Sequence, residues 1–265
     1  MSEAPGAATF LTSAAAYDRH IGRYGSQLAA ALIAAAGIRP GQGVLDVGCG
    51  PGALTKALAE LVGAERVAAV DPSEPFAAAC RSRLPGVRVE VAAAEALPFA
   101  DDSFDAALSQ LVVNFMRDAA AGVREMRRVT RAGGTVASAV WDYADGMTLL
   151  RRFWDAAAAL DPAAAELDEG RSMPYCRPEE LDRLWRAAEL REVTVSPLLL
   201  EARYSDFADL WQPLEAGPGP SGAYVVSLRA DDRARLRDEL RRRLEVGDGP
   251  FELAARAWCV VGRVP

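Results

Sequence analysis

Between Gly43 and Trp141 short apolar runs alternate with longer stretches of helical periodicity, and this alternation constrains the fold more than any other feature of the chain. Strands are predicted at residues 43–47, 66–70, 87–92, 104–113 and 135–141. Helices are predicted at 53–61, 75–84 and 118–131, the second stopped by Pro85-Gly86 and the third by Gly133-Gly134. A strand followed by a helix and another strand needs a crossover connection, which makes the sheet parallel. Parallel strands are covered on both faces and read as unbroken apolar runs, as Val44-Leu45-Asp46-Val47 and Val67-Ala68-Ala69-Val70 do. The predicted class is therefore α/β, doubly wound.

The flanks are helical by pattern. Residues 14–24 and 27–36 are alanine-rich and broken at Gly25, Gly37 and Pro40, and two further stretches, 142–177 and 204–250, interrupt the alternation. A helix at 178–188 and a strand at 193–203 lie between them, and a strand at 251–261 returns to the sheet. Gly217 to Gly222 lacks the Lys-Ser/Thr ending of a phosphate loop and is read as a flexible connection. The helix at 231–246 carries Leu236, Leu240 and Leu244 on one stripe, and its arginines read as a solvated face paired with acids. One domain is expected over 1–265, with a core at 41–141.

Composition removes several classes of function. Lys and Arg number 30 against 37 Asp and Glu, a balance of −7. Nucleic-acid affinity comes from cations that neutralise phosphates, so a nucleic-acid partner is not expected. Four scattered cysteines and one histidine, His20, give neither a disulfide framework nor a zinc set, and no metal is expected. No apolar run reaches the ~18 residues of a membrane span, and the start lacks a basic region followed by an apolar stretch. A cytoplasmic protein with no membrane partner is expected, and a homodimer is the one assembly entertained.

The chemistry is concentrated at strand ends. Val44-Leu45-Asp46-Val47-Gly48-Cys49-Gly50-Pro51-Gly52 closes the first strand and opens the first helix, where glycines let a ligand approach the backbone. The same glycines fit a dinucleotide fingerprint. Asp46 separates the two readings, because a carboxylate there repels a pyrophosphate and attracts an ammonium. Asp71, ending the next strand in Val70-Asp71-Pro72-Ser73, can accept both hydroxyls of a ribose; its plainer reading is a helix cap. Glu95-Ala96-Leu97-Pro98-Phe99 and Asp101-Asp102-Ser103-Phe104-Asp105 connect the third strand to the fourth.

Taken in order, "VLDVGCGPG", "VDPS", "AEALPFADDSFD" and "EMRRVTRAGGT" closely resemble the class I S-adenosylmethionine-dependent methyltransferases, in particular the methyltransferase type 11 and ubiquinone/menaquinone-biosynthesis-like group. The resemblance covers roughly residues 17–141. It implies a Rossmann-like seven-stranded sheet whose helical insertions form a lid, with S-adenosyl-L-methionine as the methyl donor. It further implies that Asp46, Gly48 and Gly50, with Cys49 beside them, hold the methionine portion. Asp71 and Pro72 would lie at the ribose, Ala94 and Glu95 at the adenine, Gln110 on the methionine side, and Tyr24 would close over the cofactor.

The chain departs from the family pattern at Ala93, where relatives often carry aspartate, at Asn114-Phe115, where many have a pair of histidines, and at Ala132. Ser109-Gln110-Leu111-Val112 replaces the tetrapeptide typical of amide and adenine methylation, which favours a small-molecule acceptor. His20 is the candidate base should the acceptor have to lose a proton, against the plainer reading of a packed or solvated histidine. Tyr17, Trp141, Tyr143, Met147, Trp154, Tyr175 and Trp211 are the candidate acceptor contacts, suited to an aromatic or apolar metabolite; the plainer reading is that most of them anchor helices. The rival readings are a nicotinamide-dependent oxidoreductase and a catalytically silent protein that binds S-adenosylmethionine.

Overall fold

The computed structural model describes residues 21–217 and 219–265. Seven strands form one sheet: β1 (Val44–Val47), β2 (Val67–Asp71), β3 (Arg88–Val91), β4 (Phe104–Gln110), β5 (Thr130–Trp141), β6 (Arg191–Tyr204) and β7 (Phe251–Arg263). They lie in the order β3-β2-β1-β4-β5-β7-β6. The pairs β1–β2, β1–β4, β2–β3 and β4–β5 are parallel, as the alternation requires. β7 runs the other way beside β5: Gly133 N–H, early in β5, reaches Val264 O just past the end of β7, while Asp142 N–H, just past the end of β5, reaches Arg256 O, nearer the start of β7. The sheet is therefore mixed and Rossmann-like, with the order turning outward in both directions from β1.

The chain gathers into two compact units. The first comprises Gly25–Val140, Pro174–Leu198 and Ala257–Pro265. In it β1 and β2 are buried along their whole lengths, as their apolar runs predict. Helices α1 (Gly25–Ala36), α2 (Ala53–Val62), α3 (Glu74–Arg83), α4 (Ala119–Val129) and α7 (Pro178–Ala187) belong to it. α2 buries Leu54, Leu58 and Val62, one stripe at helical spacing. α4 is capped by Asp118, whose side chain accepts from the Ala121 amide at 2.9 Å. Trp185 of α7 donates its indole N–H to Val136 O of β5 at 3.0 Å. The hydroxyls of Ser109 and Ser138 satisfy each other at 2.9 Å inside the sheet.

The second unit comprises Trp141–Met173 and Leu199–Arg256 with residues 21–24. It contains α5 (Thr148–Leu160), the short α6 (Glu169–Ser172), α8 (Phe207–Glu215), α9 (Gly219–Ser227) and α10 (Ala230–Leu244). Arg151 pairs with Asp168, Arg256 with Asp142, and Arg23 with Asp209 at 2.9 Å. On α10, Leu236 and Leu240 are buried, while Glu239 holds Arg242 and Arg243, each at 2.6 Å. The arginine-rich face is thus paired internally.

Two local expectations are corrected. Gly133-Gly134 do not end a helix: α4 stops at Val129 and β5 begins at Thr130. The glycines lie in an irregularity of β5, where Phe104 faces Thr130 but Ala106 already faces Thr135. Gly133 takes φ 75°, and a Cβ on Gly134 would come within 2.6 Å of Asp105 O, so the turn chemistry was legible but its place inside a strand was not. Likewise Gly219 to Gly222 are the first turn of α9 rather than a loop. Pro220 is tolerated there because the first-turn amides of a helix have no intrahelical partner. Among the described residues no helix is long and apolar enough to cross a membrane, and no group of three or more His, Cys, Asp or Glu is placed to hold a metal.

Candidate functional site

At the carboxyl ends of β1 and β2 the glycine loop is lashed to its neighbour strand. The amides of Gly48 and Cys49 both donate to Val70 O, at 2.8 and 2.9 Å. The Gly50 amide donates to Asp71 Oδ2 and the Ser73 amide to Asp71 Oδ1, each at 2.8 Å. A loop that cradles phosphate must aim such N–H groups at the ligand. Here three consecutive ones are spent on β2, which argues against a pyrophosphate seated on this turn.

Gly48 has a second constraint. It adopts φ 77°, and a Cβ placed on it would lie 2.4 Å from a Val112 methyl. Valine has little rotamer freedom with which to retreat. Gly48→Ala is expected to lose about 1–3 kcal/mol of stability from strain and overpacking. Thermal unfolding checks this, at about 2–4 °C for each kcal/mol in a chain of this size; an unchanged Tm would contradict it.

Asp46 is completely buried. Its Oδ2 accepts from the Thr55 hydroxyl at 2.6 Å, so a carboxylate from β1 sits beside the first turn of α2. Oδ1 is buried and has no hydrogen-bond partner among the described residues. Burial pushes the Asp46 carboxyl up to about 7; the Thr55 hydroxyl opposes the rise and the nearby Asp71 charge adds to it. Burial also raises Asp71, against the two amide hydrogen bonds that favour its ionised form. Cys49 is buried in the same loop, and its hydrogen bond with Cys80, together with burial, raises its thiol. Pro72 is exposed.

β4 ends earlier than predicted, at Gln110 rather than residue 113, because Leu111 turns the chain with φ 62°. Gln110 donates Nε2–H to Gly25 O at 3.2 Å, while its Oε1 is buried without a partner among the described residues. Between β3 and β4, Ala94 is buried. The Glu95 carboxylate accepts from the amides of Arg117 and Asp118 at 2.8 and 3.2 Å, so one of its oxygens serves the entry to α4. Arg128 of α4 binds the same connection from behind through Leu97 O at 3.1 Å, Phe99 O at 2.9 Å and the Asp101 carboxylate at 2.7 Å.

In the other unit the sequence candidates fall into separate aromatic groupings. Tyr24 is fully buried with its ring edge-on to Trp141, centroids 5.4 Å apart. Burial raises its phenol well above the usual range. Trp154 packs with Phe153 and Tyr224, and Trp211 stacks on Phe207 and donates to Glu215 at 2.8 Å. Met147 is buried where it bridges to Ala255, and Tyr143 is buried close by in sequence. Tyr175 belongs to the sheet unit, half-buried and with φ 58°. Tyr17 and His20 lie outside the described residues.

Two residues escaped the sequence reading. Thr55 was legible in principle, as a hydroxyl in the first turn of the helix that follows an acidic strand end. Glu169 carried no local signal, and Asn114 was marked there only as a departure from the family pattern, with nothing to announce its burial. Glu169 is buried, accepts the Trp154 indole N–H, and is pushed up to about 7 by burial.

Residues 45–138 match the family model described as a methyltransferase domain. Malonyl-[acyl-carrier protein] O-methyltransferase of Pseudescherichia vulneris is 39% identical over 131 residues, covering 49% of this chain and 51% of that protein. The ubiquinone/menaquinone biosynthesis C-methyltransferase of Burkholderia orbicola is 38% identical over 119 residues, covering 42% and 49%. The chain thus spans about half the length of these curated relatives. Among solved structures, phosphoethanolamine N-methyltransferase 2 of Haemonchus contortus, in complex with phosphomonomethylethanolamine and S-adenosylhomocysteine, superposes with a TM-score of 0.60 at 17% identity. That match covers 95% of this chain and 57% of the other, and it shows the shared fold.

Proposed function

We propose, from the match of residues 45–138 to the methyltransferase-domain family model, that the protein transfers a methyl group from S-adenosylmethionine to a small aromatic or apolar metabolite. The observation that carries the donor is the pair of buried acceptor atoms without partners, Asp46 Oδ1 and Gln110 Oε1, on the neighbouring strands β1 and β4. An ammonium group supplies what both need, whereas a phosphate would meet a carboxylate and amides already engaged.

S-adenosylmethionine, when bound, supplies an electrophilic methyl carbon on a cationic sulfur. The chain's own task is to hold and to exclude water. Asp46 and Gln110 accept from the ammonium of the methionine end. Asp71 keeps lone pairs on both oxygens for the ribose hydroxyls while its amide hydrogen bonds fix its orientation. Backbone at Ala94 faces the adenine. Fixing donor and nucleophile in line supplies about 7–11 kcal/mol of barrier reduction without any acid or base.

Calorimetric titration tests this reading. S-adenosylhomocysteine and S-adenosylmethionine are expected to bind one to one and NADH to give no heat; tighter binding of NADH than of S-adenosylhomocysteine would overturn it.

A further inference from the structure

Asn114 lies in the short turn Val113–Phe115 that follows β4. It is only 3% exposed, and neither its Oδ1 nor its Nδ2 has a hydrogen-bond partner among the described residues. A buried primary amide with both ends unpaired is costly and is retained only for a reason. The turn adjoins the glycine loop, since Val112 is the residue a side chain on Gly48 would strike, and Met116 packs on Gly122 near Ala94. Asn114 is thus placed at the carboxyl end of the sheet, where open α/β folds bind ligands.

Resting on the donor reading above, we propose that Asn114 selects the methyl acceptor, its amide gripping a hydroxyl or amine at the atom to be methylated. In that reading Asp46 and Gln110 answer the ammonium, Asp71 the ribose and the backbone at Ala94 the adenine. The amide that remains offers one donor edge and one acceptor edge side by side. A group that both accepts and donates, O–H or N–H, satisfies both edges; a bare carbon nucleophile satisfies neither. In the transfer the acceptor's lone pair forms the new O–C or N–C bond, the S–C bond breaks with its electron pair passing to sulfur, and the O–H or N–H proton leaves to solvent.

The test combines stability with transfer. Asn114→Leu replaces an unsatisfied amide with an apolar group of similar size, so its Tm should rise by about 2–6 °C. Its affinity for S-adenosylhomocysteine should stay within threefold. Single-turnover transfer to 2-naphthol, tryptamine and indole should show wild-type methylation of the hydroxyl or amine. The rate should fall at least 100-fold in Asn114→Leu and in Asn114→Ala, the second variant guarding against a folding artefact. A lower Tm for Asn114→Leu would mean that the amide is structural, and a tenfold loss of S-adenosylhomocysteine affinity that it serves the donor; either overturns the proposal. So does an unchanged transfer rate, transfer only to the ring carbon of indole, or no transfer to any probe by a wild type that binds S-adenosylhomocysteine. A wild type that fails to bind S-adenosylhomocysteine overturns the donor reading and this proposal together.

Discussion

Asp71→Ala is expected to weaken S-adenosylhomocysteine binding by at least 100-fold and to abolish detectable transfer. Two effects combine. The hydrogen bonds from the ribose hydroxyls to a charged acceptor are worth about 1.5–3 kcal/mol each. The same truncation frees the amides of Gly50 and Ser73, which Asp71 holds at 2.8 Å, and so loosens the loop on which the methionine end depends. Asp71→Asn separates the two effects: it keeps one oxygen acceptor and the shape, so its Tm should fall less than that of the alanine variant while affinity still drops. Calorimetry and thermal unfolding on both variants check this. An alanine variant with affinity within threefold of wild type would remove Asp71 from the ribose site.

The second large effect is a pH dependence set by Asp46. With its carboxyl pushed up to about 7 by burial, the group is mostly protonated at pH 5.5 and mostly ionised at pH 8. An ammonium ligand requires the ionised form. Affinity for S-adenosylhomocysteine should therefore climb close to tenfold per unit as pH rises towards 7, then level off. Asp46→Asn should flatten this profile and bind about 100-fold more weakly at pH 8.

The same carboxyl governs stability with the opposite slope. Its folded pKa lies above the unfolded value, so between about pH 4 and 7 the folded protein carries a proton that the unfolded chain has released. Stability of the ligand-free protein falls as pH rises through that window, by up to about 4 kcal/mol from this group. Glu169 is raised in the same direction, so the quantity to measure is the difference between wild type and Asp46→Asn. A wild-type affinity independent of pH between 5.5 and 7 would count against an ammonium at Asp46.

The parts of the fold that were legible in the sequence are those whose burial is complete. β1 and β2 are covered on both faces and therefore spell unbroken apolar runs. The errors occur where tertiary pairing overrides local chemistry. Gly133-Gly134 carry a turn signature that the sheet absorbs as an irregularity, and Gly219 to Gly222 carry a loop signature that becomes a helix start. The site divides the same way. Asp46 and Asp71 stand at strand ends beside glycine and proline, where a carboxylate already has a local meaning. Asn114 and Glu169 gain theirs only from burial, which no neighbouring residue announces.

On the proposed seat of the adenine at Ala94, the way Arg128 and Glu95 fasten the β3–β4 connection sets how choosy that contact can be. A segment bolted to α4 from two sides is a finished mould before any base arrives, so little ordering entropy is lost on recognition. It also has no freedom to re-form around a misfit. Nucleosides whose ring edges exchange donor for acceptor should be turned away outright rather than accommodated at a discount, because the backbone groups they meet cannot swing to oblige them.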